Sequence, residues 1–194
     1  LLSFFFPLSI FQENDYAYPL PDLIATSGEY YKEQLLSFGV HPDKIQIAGL
    51  IEDKYMYQQK LDLETKKTLR QEMALPFDGK ICLVACSIDS IITDGILYLL
   101  SRVIPRYPGV YFLIKEHPNN PISGLVKRYG FKNFQNAKTT LQPMSVIMPL
   151  SDYFLSSSSS TSLEALALGI TQANLDVGGL PKTNPLHIFP DLIR

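Results

Sequence analysis

Residues 152–169 read DYFLSSSSSTSLEALALG, and no other stretch of the chain says as much about its fold. The apolar run at residues 152–155 predicts a short buried strand, which is followed by five serines and then a helix. The apolar residues expected on the inner face of that helix, with Gly169 as its C-terminal stop, are Leu163, Leu166, Ala167 and Ile170. This order is typical of an open parallel sheet, in which ligands bind at the carboxyl ends of strands.

The serine turn supports two interpretations. Hydroxyl groups, unpaired helix N–H groups and the positive end of the helix dipole together suit a phosphate. Alternatively, Thr161 followed by Glu164 matches a capping box, in which a hydroxyl and a carboxylate satisfy two backbone N–H groups. Taken alone, the turn fits a helix cap and a ligand contact equally well.

A second polar motif follows another apolar run. Residues 110–114 (VYFLI) predict a buried strand, and residues 115–121 (KEHPNNP) come directly after it. Pro118 biases His117 towards an extended backbone, so Lys115 and His117 are expected to project to one side. A cation and an imidazole at a strand end can bind a phosphate or protonate it as it leaves. The alternative is a solvent-facing histidine beside an ordinary Lys-Glu pair.

Together the two motifs resemble the nucleotide-binding half of GT-B glycosyltransferases, particularly bacterial capsule-type enzymes and families that transfer sialic acid or glycerophosphate. The resemblance rests on residues 115–118 (KEHP) and 159–169 (SSTSLEALALG), in that order and at a similar separation. Looser similarity extends it over residues 21–176. One departure follows Gly169, where similar enzymes have a proline and a β-branched residue. This chain has Ile170-Thr171-Gln172 there, so a weaker strand is expected.

The resemblance implies the fold and a set of site residues. The fold would be α/β, a Rossmann-like parallel sheet flanked by helices, as in the C-terminal domain of a GT-B enzyme. His117 would be the donor-phosphate ligand and an acid, and Glu164 would accept hydrogen bonds from the donor ribose. The remaining candidates for donor binding are Lys115, Ser159, Ser160, Thr161 and, secondarily, Ser87. Ser87 follows a predicted strand, where a serine is more often a helix N-cap.

By this resemblance, the chain would bind a nucleotide-activated sugar or polyol phosphate and stabilise the leaving phosphate during synthesis of a surface polysaccharide such as a capsule. The acceptor would be a glycan or a lipid-linked molecule. No Asp-x-Asp motif is present in the sequence, so we expect a metal-independent reaction without a cofactor. Two alternatives remain: a nucleotide-sugar 2-epimerase of the same fold, and a non-catalytic nucleotide-binding or assembly module.

The alternation of predicted strands and helices divides the chain. Residues 1–75 are expected to be a linking segment with short strands and helices, and residues 76–194 the Rossmann-like donor-binding domain. GT-B enzymes have two such domains, so we expect a fragment that binds the donor but does not turn it over without its N-terminal domain. The predicted strands are 22–26, 44–48, 80–85, 110–114 and a weak one near Phe134; the predicted helices are 29–38, 61–75 with Leu63, Leu69 and Met73 inside, 91–107, 122–129 and 143–150.

Composition excludes several classes of protein. A net charge of −2, with scattered basic residues, argues against a nucleic-acid partner. Cys82 and Cys86 would lie roughly 13 Å apart along a strand, too far for a disulfide, which fits a reducing cytoplasm. The apolar segment at residues 1–11 is shorter than the ~20 residues that span a bilayer. We expect a cytoplasmic protein, with peripheral association at the inner membrane face as an option. Where the apolar segment is exposed, it would favour self-association.

Overall fold

A computed structural model describes residues 21–49, 61–157, 159–175 and 177. These residues belong to two compact units, which divide between Tyr55 and Met56. The apolar segment at residues 1–11 lies outside the described residues. The predicted domain boundary after residue 75 stays a prediction.

The first unit is a small β-α-β arrangement. Strand β1 (Ile24–Thr26) is followed by helix α1 (Glu29–Ser37), a 3-10 turn (Pro42–Lys44) and strand β2 (Ile45–Ile47), which pairs with β1 in parallel. The helix ends before Gly39, whose φ of +81° is a left-handed conformation that glycine adopts without strain. The elements predicted from the sequence in this part of the chain are therefore confirmed.

The second unit is built on a five-stranded parallel sheet. Its strands are β3 (Lys80–Ala85), β4 (Val110–Lys115), β5 (Ala137–Thr140), β6 (Tyr153–Ser156) and β7 (Thr171–Asn174), in the order β5-β4-β3-β6-β7. The chain winds outwards from β3 in one direction and then returns to its other side. The winding direction changes between β3 and β6, the position at which open α/β sheets bind ligands. The predicted Rossmann-like sheet is confirmed.

Helices cover both faces of this sheet. They are α2 (Leu63–Glu72), α3 (Ser90–Val103), α4 (Ser123–Arg128), α5 (Met144–Ile147) and α6 (Thr161–Ala167), with 3-10 turns at 104–106, 131–133 and 148–150. On one face α3 packs on alternate residues of β3 and β4, and on the other face α2, α5 and α6 pack on the residues between them. In the described part of the chain, no helix is long and apolar enough to cross a bilayer.

Three local predictions were wrong. Strand β5 begins at Ala137 rather than near Phe134, because residues 131–133 form a 3-10 turn and Phe134 packs edge-on against Phe131. Leu63 is 65% exposed because it is the first residue of α2, ahead of the turns that face the sheet. Leu166 is exposed as well, because α6 turns the small residues Ser162 and Ala165 towards β6.

The strand expected to be weak is present. Residues Thr171–Asn174 form β7, which pairs with all four residues of β6. The polar composition of β7 is tolerated because it lies at the edge of the sheet and is only half-buried.

Candidate functional site

The loops that carry the predicted site residues all leave the same edge of the sheet. Ser87 follows β3, His117 follows β4 and Ser159 follows β6, and the three strands are parallel neighbours in the order β4-β3-β6. Strand β3 therefore lies between β4 and β6. At about 4.8 Å per strand, the ends of β4 and β6 are about 10 Å apart.

In the loop after β3, a residue other than Ser87 caps the helix. Asp89 is the N-cap of α3, and its Oδ1 accepts the N–H groups of Ile91 and Ile92 at 2.8 and 3.2 Å. The Ser87 hydroxyl accepts the Asp89 N–H at 3.1 Å, so its own proton remains able to donate. The N-cap interpretation of Ser87 therefore applies to Asp89 instead.

The last residue of β4 is a buried lysine. Lys115 is 8% exposed, and its ammonium donates to the carbonyl of Glu116 at 2.8 Å. Among the residues that the structure describes, no carboxylate lies within 4.0 Å of it. By strand alternation Lys115 shares its face with Leu113, the face that α6 covers. The serine turn that begins α6 is therefore on the same side of the sheet.

His117 lies in a closed turn. Its Nδ1 accepts the N–H of Asn119 at 3.2 Å, and its carbonyl accepts the N–H of Asn120 at 2.9 Å. A ring nitrogen that accepts a hydrogen bond carries no proton, so the neutral ring has its proton on Nε2. His117 thus has Nε2–H as its donor to any ligand.

A hydrogen-bonded triangle joins the loops after β3 and β4, and it was not predicted from the sequence. Asn120 Nδ2 donates to the Ser87 carbonyl at 3.0 Å and to the Thr93 hydroxyl at 3.2 Å. Thr93 is fully buried, and its hydroxyl donates to the same carbonyl at 2.8 Å. Asn120 was visible as a polar residue in the KEHPNNP motif, but its partner in α3 lies 27 residues away, and no local pattern identifies such a pair.

The serine turn differs from the expected arrangement of free amides. The N–H groups of Thr161, Ser162 and Leu163 already donate to Ser159 Oγ, Ser159 O and Ser160 O, at 3.3, 3.2 and 3.0 Å. The N-cap is Ser160, and its side chain makes no capping bond, so the capping box headed by Thr161 is not formed. The donors that the turn offers are therefore mainly hydroxyl groups.

Two of these hydroxyls are paired with each other. Ser159 Oγ and Thr161 Oγ1 are 2.6 Å apart, which uses one proton and leaves the other available. Ser160 is exposed, and Glu164 lies half-buried in the first turn of α6. Beneath them, the buried hydroxyls of Ser156 and Ser162 are 3.0 Å apart and join α6 to β6.

The cysteines do not contribute reactive groups. Cys82 and Cys86 are both free, as their spacing predicted. Both are buried, and burial raises the pKa of each thiol to about 12. Protonated thiols are poor nucleophiles and poor metal ligands. Within the described ranges, no group of three or more His, Cys, Asp and Glu side chains could hold a metal ion.

A cavity of about 240 Å³ lies at the opposite edge of the sheet. It is lined by Lys66, Ser151, Asp152 and the residues that follow α6. These lining groups precede β6 or follow α6, so the cavity is on the amino side of the strands. It is separate from the predicted site residues.

Comparison with solved structures gives a consistent fold. A UDP-GlcNAc 2-epimerase from Neisseria meningitidis, bound to UDP-GlcNAc, is 20% identical with a TM-score of 0.67, over 87% of this chain and 47% of the other. S. aureus MnaA in complex with UDP is 15% identical with a TM-score of 0.67, over 89% of this chain and 46% of the other. The wall teichoic acid polymerase TagF, soaked with CDPG, is 19% identical with a TM-score of 0.53, over 89% of this chain and 46% of the other.

This chain has a GT-B type, Rossmann-like fold. No protein-family model matches it, and no curated protein does. The GT-B type chain spans less than half the length of each of the three structures, and identities of 15–20% establish the fold alone.

Proposed function

We propose that this chain is the C-terminal, donor-binding domain of a GT-B glycosyltransferase, and that it binds a nucleotide-activated sugar or polyol phosphate at the carboxyl edge of its sheet. The observation that carries the proposal is the buried ammonium of Lys115 at that edge. An ammonium has three donors, and burying it without a negative partner is unfavourable. An anionic ligand would supply the missing charge.

The surrounding groups fit a phosphate. The hydrogen bond between the Ser159 and Thr161 hydroxyls uses one of their two protons, so the pair has one O–H left to donate to a phosphate oxygen. Ser160 and Ser87 add hydroxyl donors, and His117 adds Nε2–H. Together these groups would stabilise the charge that builds on the leaving phosphate.

His117 fits the role of ligand better than the role of acid. A neutral imidazole that loses its Nε2 proton becomes an anion, so acid catalysis needs a second proton on Nδ1. That proton would compete with the Asn119 N–H, which Nδ1 accepts at 3.2 Å. We therefore assign His117 to the donor phosphate and Glu164 to the ribose hydroxyls.

The similar structures support the class of ligand. They were obtained with UDP-GlcNAc, UDP and CDPG. In this chain the site lies at the carboxyl ends of the strands where the winding direction of the sheet changes, a position that suits a nucleotide as well. We propose a cytoplasmic enzyme of surface polysaccharide synthesis that needs no metal, and whose acceptor, a glycan or a lipid-linked molecule, is activated by an N-terminal domain.

A 2-epimerase is the second candidate. It is kept because the chain is similar in fold to the Neisseria meningitidis epimerase, with a TM-score of 0.67, as well as to TagF, with a TM-score of 0.53. An epimerase would interconvert a free nucleotide sugar without an acceptor, whereas a transferase would not. A non-catalytic nucleotide-binding module would bind the nucleotide and do neither.

Calorimetry on the 194-residue chain tests the proposal. We expect CMP, CDP, UDP and GDP to differ in affinity, with one base preferred and EDTA without effect. His117→Ala and Glu164→Ala should each weaken that binding, whereas Asn133→Asp, on an exposed residue that precedes β5, should not. Absence of binding by all four nucleotides would overturn the proposal. Turnover of free nucleotide sugar by the chain joined to its companion domain would replace it with the epimerase.

A further inference from the structure

The loop after β4 is held to the rest of the edge by one side chain. The side-chain amide of Asn120 donates two hydrogen bonds out of its own loop, to Ser87 O at 3.0 Å and to Thr93 Oγ1 at 3.2 Å. Its backbone N–H donates within the loop, to His117 O at 2.9 Å. Asn120 therefore connects the backbone of His117 to the loop after β3.

We propose that Asn120 is a positioning residue that acts through His117, fixing the imidazole at the edge of the sheet where an anionic nucleotide would bind. This inference rests on the proposed function for its ligand. A loop tied to a neighbouring loop loses less conformational freedom when it binds, so its contacts contribute more to affinity.

A second His-Pro turn in the chain shows what the tether adds. His41 Nδ1 accepts the N–H of Asp43 at 3.3 Å, which is the same ring-to-backbone bond that His117 makes with Asn119. A histidine followed by proline therefore closes this bond in both compact units. Only the loop that contains His117 carries the additional Asn120 bonds to a neighbouring strand loop, among the hydrogen bonds of the described residues.

The partners of Asn120 are suited to hold it. The Ser87 carbonyl accepts from both Asn120 and Thr93, and the Thr93 hydroxyl donates to that carbonyl while it accepts from Asn120. Thr93 has no exposed surface, so the contact is shielded from water. A carboxylate at residue 120 would lose both donors and would repel the Ser87 carbonyl.

The first test needs no ligand. Amide hydrogen exchange in the intact chain should show the Asn119 N–H protected more than the Asp43 N–H, which lacks such a tether. Asn120→Asp should reduce the protection of Asn119 to about that of Asp43 and leave Asp43 unchanged. Unchanged protection at Asn119 in a folded Asn120→Asp protein would overturn the inference, whether or not a nucleotide binds.

The second test separates positioning from general stability. Asn120→Asp should weaken binding of the preferred nucleotide by about tenfold, the effect of losing about one well-made hydrogen bond. In a His117→Ala background the same change should have little further effect, because its route to the ligand is gone. If the losses simply add, Asn120 does not act through His117, and the inference fails while the proposed function stands.

Thr93→Val is a second, milder variant that tests the same contact if Asn120→Asp does not fold. It removes one of the two acceptors of Asn120 and keeps the shape of a buried side chain, so it should give a smaller loss of affinity that also disappears with His117→Ala. Asn133→Asp repeats the charge change on an exposed residue and should match the wild type in both tests. Binding that is unaffected by Asn120→Asp and by Thr93→Val would refute the positioning role.

Discussion

Arg70 Nη2 lies 2.6 Å from Asp152 Oδ2, and this ion pair joins helix α2 to the start of β6. The same guanidinium donates to the carbonyl of Leu150 through Nε and Nη2 at 3.0 and 2.6 Å, and to the carbonyl of Gly79 at 3.0 Å. Asp152 Oδ2 in turn accepts the N–H of Ile81 at 2.9 Å. The pair therefore binds the backbone at the start of β3 and just before β6.

Removal of Asp152 should strongly destabilise the chain. The Arg70 side chain is only 6% exposed, so Asp152→Ala leaves a nearly buried charge without its partner. The expected loss in free energy of unfolding is about 3 kcal/mol or more, measured by urea denaturation. The exposed pair between Glu64 and Lys67 is the control, and Glu64→Ala should cost less than about 1 kcal/mol. Equal losses in the two variants would contradict the assignment.

The same ion pair should make the stability of the fold depend on pH in the acid range. Burial alone would raise the pKa of Asp152. The hydrogen bonds from the Ile81 N–H and Arg70, together with the charges of Lys66 and Arg70, outweigh burial and hold the pKa below its ordinary value. A lowered carboxyl pKa stabilises the fold above the unfolded value of about 3.9, and the gain is lost as pH falls through the folded pKa.

We therefore expect the unfolding free energy of the wild type to fall below about pH 4 more steeply than that of Asp152→Asn, which has no carboxyl to titrate at this position. Urea denaturation between pH 7 and pH 2 measures both slopes. Parallel curves for the two proteins would show that Asp152 does not carry the dependence.

Much of this fold was predictable from the sequence. The strands at β3 and β4 are almost continuous apolar runs, which is what a strand buried on both faces requires, and their bounds were predicted to within one residue. Strand β5 (AKTT) has no such run, because an edge strand needs less apolar surface, and its position was missed. The inner face of α6 was also missed, since close approach to β6 selects small residues over the leucines that a hydrophobic pattern favours.

The candidate site was only partly predictable. Strand-helix alternation placed Ser87, His117 and the serine turn at one edge, as the sheet order now has them. The insertion of β3 between β4 and β6 depends on the order of strands, which local pattern does not contain. Burial of Lys115 and its contact with its neighbour's carbonyl arise from tertiary packing, which likewise lies beyond any short motif.

Lys115→Met should separate ligand binding from stability. The methionine removes a buried charge that has no carboxylate partner within the described residues, so the free energy of unfolding should be unchanged or higher. Affinity for the preferred nucleotide should fall at least about tenfold, because the ligand phosphate loses a charged hydrogen bond. Calorimetry and urea denaturation on the same preparation measure the two effects. Lys138→Met, on an exposed residue of β5, should leave both quantities nearly unchanged, and a comparable loss of affinity there would remove Lys115 from the site.

The two cysteines should resist thiol reagents until the protein unfolds. With each pKa at about 12, the thiolate is about one part in ten thousand at pH 8, and both side chains are buried. Labelling with a chromogenic disulfide should therefore be slow in buffer and rapid in urea, with two thiols per chain. Rapid labelling of the native protein would mean that the core around β3 opens readily.

Two helical glycines should respond differently to alanine. In α4, a Cβ added to Gly124 would meet no atom within 4 Å apart from its chain neighbours and its own helix backbone, so Gly124→Ala should stabilise the chain by up to about 1 kcal/mol through helix propensity. In α3, a Cβ on Gly95 would meet the Cβ of Val177 at 3.0 Å, and this crowding should cancel or reverse the same gain. Val177→Ala in the Gly95→Ala background should restore part of it, whereas in the Gly124→Ala background it should only remove apolar contact. Thermal unfolding of the four variants measures these differences, and an equal gain from both glycine substitutions would show that residue 177 does not pack closely on α3.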